Sequence, residues 1–242
     1  MEKQKISKGA FILVTGFTLL ASCNKNDSNQ TFQVEPDVIT MVKTVHDTVK
    51  YAPAFYVYAN QNIKSAEVSA PDGSPIELSF YNSNVITYAK LPKEADYTET
   101  EPQSGEYAFS VKSVNGDVFT GSDILYPTGL EAPEISGISF NSSNSTMHVN
   151  WNTDLGANGY FVRLINNNGE TVYTGYNVSA DSTSYTIRST DEGWEQPPYS
   201  GTKYILQMNA IEYDADDNLT EYYYHVNAIA FSEEEITWEL LN

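Results

Sequence analysis

Gly201-Thr202-Lys203-Tyr204-Ile205-Leu206-Gln207-Met208-Asn209-Ala210 sets Tyr204, Leu206 and Met208 at alternate positions. Successive side chains of a strand point to opposite faces, so this spacing predicts a strand with one face on a core. Outward from it, alternation recurs in Met147 to Trp151, Tyr160 to Ile165, Thr171 to Tyr176, Ser184 to Arg188 and Glu221 to Ala230, with a first strand near Ile135 to Phe140. Short strands in this number, separated by turn residues, are those of a seven-stranded sandwich. Trp151, Val162, Leu164, Tyr204, Leu206 and Met208 are its core candidates.

Over Pro133 to Phe231 this half resembles a fibronectin type III domain. The resemblance rests on Trp151 on an early strand, Tyr160-Phe161-Val162-Arg163-Leu164 on the next, and the Gly201 to Ala210 stretch. It implies that Tyr204 stands at a sheet corner in a structural role. Pro198 occupies the place of the leucine usual in that family six residues before the corner tyrosine, and the loop Thr190 to Ser200 is expanded.

The first half alternates in the same way, with strands expected at Ile39 to Val45, Ala54 to Ala59, Ala66 to Ser69, Ile76 to Tyr81, Val85 to Leu91, and Glu106 to Val114 returning through Asp117 to Ile124. Val114-Asn115-Gly116-Asp117 is a hairpin turn, because Asn and Gly tolerate the positive φ of two-residue loops. Tyr107, Phe109 and Val111 then share one face, and Gly105 to Val111 resembles the penultimate strand of immunoglobulin-like sandwiches. Tyr126-Pro127-Thr128-Gly129-Leu130-Glu131-Ala132-Pro133 punctuates the chain between the halves. The fold class expected is all-β, two tandem β-sandwich domains: residues 32–126 immunoglobulin-like, a linker at 127–132, and residues 133–231 fibronectin-III-like. Residues 232–242 are expected to form an acidic C-terminal tail whose Trp238 tucks back against the second domain.

Lys3, Lys5 and Lys8 precede an apolar run, Gly9 to Leu20, that is too short to span a bilayer comfortably and has the pattern of an export signal. It closes on Leu20-Ala21-Ser22-Cys23, which resembles the bacterial lipobox; Cys23 is the only cysteine of the chain. The resemblance implies a lipoprotein signal peptide over 1–22, a lipidated Cys23 and anchorage in the outer membrane of a Bacteroides-like bacterium. Residues 23–31 are polar and suit a flexible tether. Lys25 and Asp27 resemble the signal for display on the cell surface; Asn26 departs from its acidic pattern and leaves the periplasmic face as the alternative.

Removal of residues 1–22 leaves 10 basic and 31 acidic side chains, a net charge of −21. Such a surface repels phosphate backbones and anionic headgroups, so no nucleic-acid partner is expected. Once Cys23 is lipidated no disulfide can form, and the cores must supply the stability.

The chain carries no Gly-x-Ser-x-Gly elbow, His-Glu-x-x-His helix, phosphate-binding glycine loop or free thiol nucleophile, and no enzymatic activity is expected. His46, His148 and His225 lie far apart, and His148 and His225, on expected strands beside apolar alternates, read as ordinary outward-facing residues. Asp214, Asp216, Asp217 and Asn218 are clustered oxygen ligands that could hold Ca²⁺, although they also suit a solvated turn and lack the glycine and distal glutamate of a known calcium loop. No other cofactor is implied. Trp194 and Tyr199, in a loop of surface residues, are candidates for stacking on a sugar or a protein partner; Trp194 folded over the sandwich end is the competing reading. Thr48 and Ser182 lie in Asp47-Thr48-Val49 and Asp181-Ser182-Thr183, which resemble the O-glycosylation motif of Bacteroides-like bacteria. The function expected is that of an envelope lipoprotein acting as a binding or spacer module, with glycan binding or adhesion at the cell surface foremost. A protein-interaction subunit of an outer-membrane complex and an accessory domain of a glycoside hydrolase system are the alternatives.

Overall fold

The computed structural model describes residues 31–81, 83–153, 156–214 and 225–239. The strands of the first half are β1 Val34–Val45, β2 Thr48–Ala59, β3 Ile63–Ser69, β4 Pro75–Tyr81, β5 Asn84–Lys90, β6 Gly105–Ser113 and β7 Val118–Leu125. Those of the second are β8 Ile135–Asn141, β9 Thr146–Trp151, β10 Gly159–Ile165, β11 Thr171–Thr174, β12 Val178–Ser179, β13 Ser184–Arg188, β14 Lys203–Tyr213 and β15 Val226–Thr237. A single 3-10 turn at Glu94–Asp96 is the one helical element among the described residues. No helix there is long and apolar enough to cross a membrane.

Both halves are sandwiches with one strand order. In the second, β13-β9-β8 faces β11-β10-β14-β15. In the first, β1-β2-β5 faces β4-β3-β6-β7, and β4 belongs to both layers: Pro75 to Leu78 pair with β3, whereas Ser79 to Tyr81 pair with β5. Alternation places Tyr107, Phe109 and Val111 of β6 in the first core with Val38, Phe55, Val57 and Val68. Trp151, Val162, Leu164, Tyr204, Leu206 and Met208 all lie in the second. The Tyr107 hydroxyl donates to the Gln103 carbonyl at 2.9 Å, the corner bond that ties a tyrosine to the chain just upstream. Gly116 takes a positive φ in the turn between β6 and β7 but Asn115 does not, and the Ser113 N–H closes on the Asp117 carbonyl around a three-residue loop instead of the two-residue one expected.

The halves are not beads on a linker. β1 pairs in parallel with β15, Thr40 opposite Ala228 and Lys43 opposite Phe231, so one sheet of twelve strands runs through both sandwiches. Even-numbered side chains of β1 serve two cores, with Val34 and Val38 in the first and Val42 in the second. Val49 and Tyr51 of β2 also pack on the second core. The opposite face of the shared sheet buries a third cluster, Ile39, Ala54, Phe161, Ile211, Val226 and Ile229. Tyr97 closes one end of that face, edge-on to Phe231 and beneath the Lys43 ammonium.

Several segments differ from their reading in sequence, and β2 begins at Thr48 rather than Ala54. β1 begins at Val34 rather than Ile39; Pro36 lies where β1 pairs only with β2, a position that tolerates a missing N–H donor. The boundary expected at residue 231 falls inside β15, which pairs with β14 out to Lys203 opposite Thr237. The segment expected to be an acidic tail is therefore strand through Thr237, with Glu233 to Glu235 turned to solvent and held by Gln207 and Lys203. Ile236 and Trp238 anchor it in the core, and Trp238 is 0% exposed. The linker packs as well, with Leu130 buried in the second core.

Candidate functional site

The seam where the two sandwiches meet gathers residues that the chain separates widely. Asp37 comes from β1, Asp123 from β7, and His225 from the residue before β15. One carboxylate oxygen of each aspartate and a ring nitrogen of His225 lie within 4.8 Å of one another. Asp123 is fixed by the backbone: its Oδ2 accepts from the Val38 N–H at 2.7 Å and its Oδ1 from the Ile124 N–H at 2.9 Å. β7 thus reaches β1 through a side chain where no strand pairing joins them. His225 Nδ1 stands 3.8 Å from Asp123 Oδ1. Asp37 is only 8% exposed, and its Oδ1 has no hydrogen-bond partner.

Burial holds the Asp37 carboxyl well above the usual carboxylate range, and the nearby charges of Asp123 and Asp214 push it the same way. A buried carboxylate prefers its neutral form, and a second carboxylate beside it strengthens that preference. Asp214 is placed by the neck of the β14–β15 connection, where its N–H donates to the His225 carbonyl at 3.0 Å. Around the cluster the Tyr126 N–H donates to Asn227 Oδ1 at 2.9 Å, and Asn227 and Thr128 both donate to Glu212. The polar seam is thus built from both halves and the linker.

Of the residues singled out in sequence, Asp214 lies beside this cluster, and His225, read there as an ordinary outward-facing residue, is instead half-buried within it. Cys23, Asp216, Asp217 and Asn218 lie outside the described residues. Trp194 is no exposed platform: its indole N–H donates to the Arg188 carbonyl at 2.8 Å, and its ring meets Tyr173 at 4.9 Å and Trp238 at 5.0 Å. The loop runs along the edge of β11, with the Glu195 N–H on the Val172 carbonyl and the Thr174 N–H on the Gly193 carbonyl. Gly193 is required there, because a Cβ would stand 2.2 Å from the Thr174 carbonyl oxygen. Trp194 thereby covers the sandwich end beside Tyr204, which agrees with the second of its two sequence readings and not with the stacking platform. Tyr199 remains open at 68% exposure, as does Tyr176 at 66%, its hydroxyl 3.5 Å from Glu192.

Thr48 opens β2 after a turn in which His46 and Asp47 both take positive φ, and it is half-buried. Ser182 is half-buried in a turn, 3.2 Å from the Ser179 hydroxyl. His148 contacts the Thr186 hydroxyl across strands at 2.8 Å. Asp37, Asp123 and His225 carried no signal as a group: 85 residues or more separate each from the next, and no short spacing could reveal them.

The strand order and the filled cores define a pair of β-sandwiches joined through one sheet. No known protein-family model matches the chain, and no curated protein does. Similar solved structures include a two-domain fibronectin type III segment of chicken tenascin, 12% identical over 84% of this chain and 98% of that one, TM-score 0.30. The FN1–FN3 domains of chicken CNTN1 are 15% identical over 84% of this chain and 66% of that one, TM-score 0.32. A tandem repeat from the extending region of a large adhesion protein is 14% identical over 85% of this chain and 50% of that one, TM-score 0.26. The β-sandwich class rests on the strand order described above.

Proposed function

We propose that this chain is a non-enzymatic binding module of the bacterial cell envelope, held to the outer membrane by lipid on Cys23 and turned to the cell surface, where it engages glycan. The observation that carries the reading is the pair of open aromatic rings on the second sandwich, Tyr176 and Tyr199, the first with a carboxylate, Glu192, at its hydroxyl. A tyrosine face stacks on the apolar side of a pyranose while a carboxylate accepts from sugar hydroxyls. The shared sheet suits a rigid presenter, since it leaves no free hinge where β1 and β15 run side by side.

A glycan array probed with the full chain tests this, with Tyr199→Ala and Tyr176→Ala as paired controls. Binding that falls at least tenfold in either variant, with unchanged thermal midpoint, supports the assignment. A blank array from folded protein overturns it in favour of a protein partner in the envelope.

A further inference from the structure

We infer that Asp37, Asp123 and His225 form a binding site for one divalent transition-metal ion that clamps the two sandwiches together at their seam. Three observations carry this independently of the glycan reading. The donors converge from β1, β7 and the start of β15, with all three ligand atoms inside a 4.8 Å span. Asp37 is more than nine-tenths buried, yet its Oδ1 has no partner. Among the described residues the one ion-pair partner of either aspartate is His225, so two buried carboxylates, with Asp214 adding a third charge nearby, face no lysine or arginine.

Burying like charges side by side is costly unless a cation or a proton offsets them. A bound ion answers these features together: it gives the under-satisfied Asp37 carboxyl a partner, neutralises the carboxylates and uses the imidazole nitrogen. Two carboxylate oxygens with one nitrogen suit Zn²⁺ and its first-row neighbours, whereas Ca²⁺ takes sets of oxygens and Mg²⁺ retains water. Zn²⁺ binds such donors at about 2.0–2.2 Å, so the three must draw in by roughly an ångström, within reach of side-chain rotation. Asp123 is already oriented for this by the Val38 and Ile124 N–H groups, the kind of outer support that fixes a ligating carboxylate. Because β1 and β7 belong to the first sandwich and His225 to the second, the ion would bridge domains.

The test is calorimetric titration of the full chain, freed of metal by chelation, with ZnCl₂, then with CaCl₂, alongside Asp37→Asn and His225→Ala. One equivalent of Zn²⁺ is expected to bind and to raise the thermal midpoint by roughly 5 °C at saturation. Both variants are expected to bind at least tenfold more weakly. Asp37→Asn keeps the shape of the neutral acid and cannot ionise, so its metal-free midpoint is expected to equal or exceed that of the parent, which separates lost binding from lost folding. No Zn²⁺ binding, binding that both variants retain, or tighter binding of Ca²⁺ than of Zn²⁺ overturns the assignment; the first of these means that the aspartates share a proton instead.

Discussion

Truncating Trp194 removes ring contacts with Tyr173, Tyr204 and Trp238 together with the bond to the Arg188 carbonyl. Trp194→Ala is therefore expected to cost about 3 kcal/mol of folding stability, a loss typical of a packed indole. Urea unfolding measures it, and a variant as stable as the parent contradicts the packing described. Tyr107→Phe keeps the ring and loses only the bond to Gln103, so about 1 kcal/mol is expected on the same measurement. At this scale the sequence was legible wherever one side chain's neighbours follow from alternation, as for Tyr204, Leu206 and Met208. For Trp194 the sequence left two readings open, stacking platform and cover of the sandwich end, and only the fold chose the second; Asp37, whose partners lie on other strands, was illegible.

Among the elements, β15 departs most from its reading. Three consecutive glutamates look like a solvated tail, yet the strand is held by Ile236 and Trp238 on one side and by eleven register pairs with β14. Deleting residues 232–242 is expected to remove a full core edge and leave Phe140 and Trp194 uncovered. Thermal unfolding of the truncated chain should show a midpoint at least 10 °C lower, on roughly 3–5 kcal/mol for the indole alone plus the lost ladder. A midpoint unchanged within two or so degrees would restore the tail reading. Hairpins were easier: Asn115-Gly116 announces its turn, and β6 and β7 follow on either side. The β1–β2 turn gave less warning, since His46 and Asp47 adopt positive φ without a glycine.

The whole molecule is coupled through the parallel pairing of β1 with β15 and through Val42, Val49 and Tyr51, which the first half lends to the second core. One cooperative unfolding transition is expected in scanning calorimetry, with equal calorimetric and van't Hoff enthalpies. Two separated transitions would mean that the sandwiches unfold as independent domains. The residue pattern alone carried the strand content, the two sandwiches and the inward faces, because a period of two is local and each core is filled by alternate side chains of nearby strands. Tertiary structure decided the rest: the continuous sheet, the shared strand β1 and the convergence of Asp37, Asp123 and His225. These depend on contacts across 85 to nearly 190 positions, and no local periodicity encodes which distant strand edge another will meet.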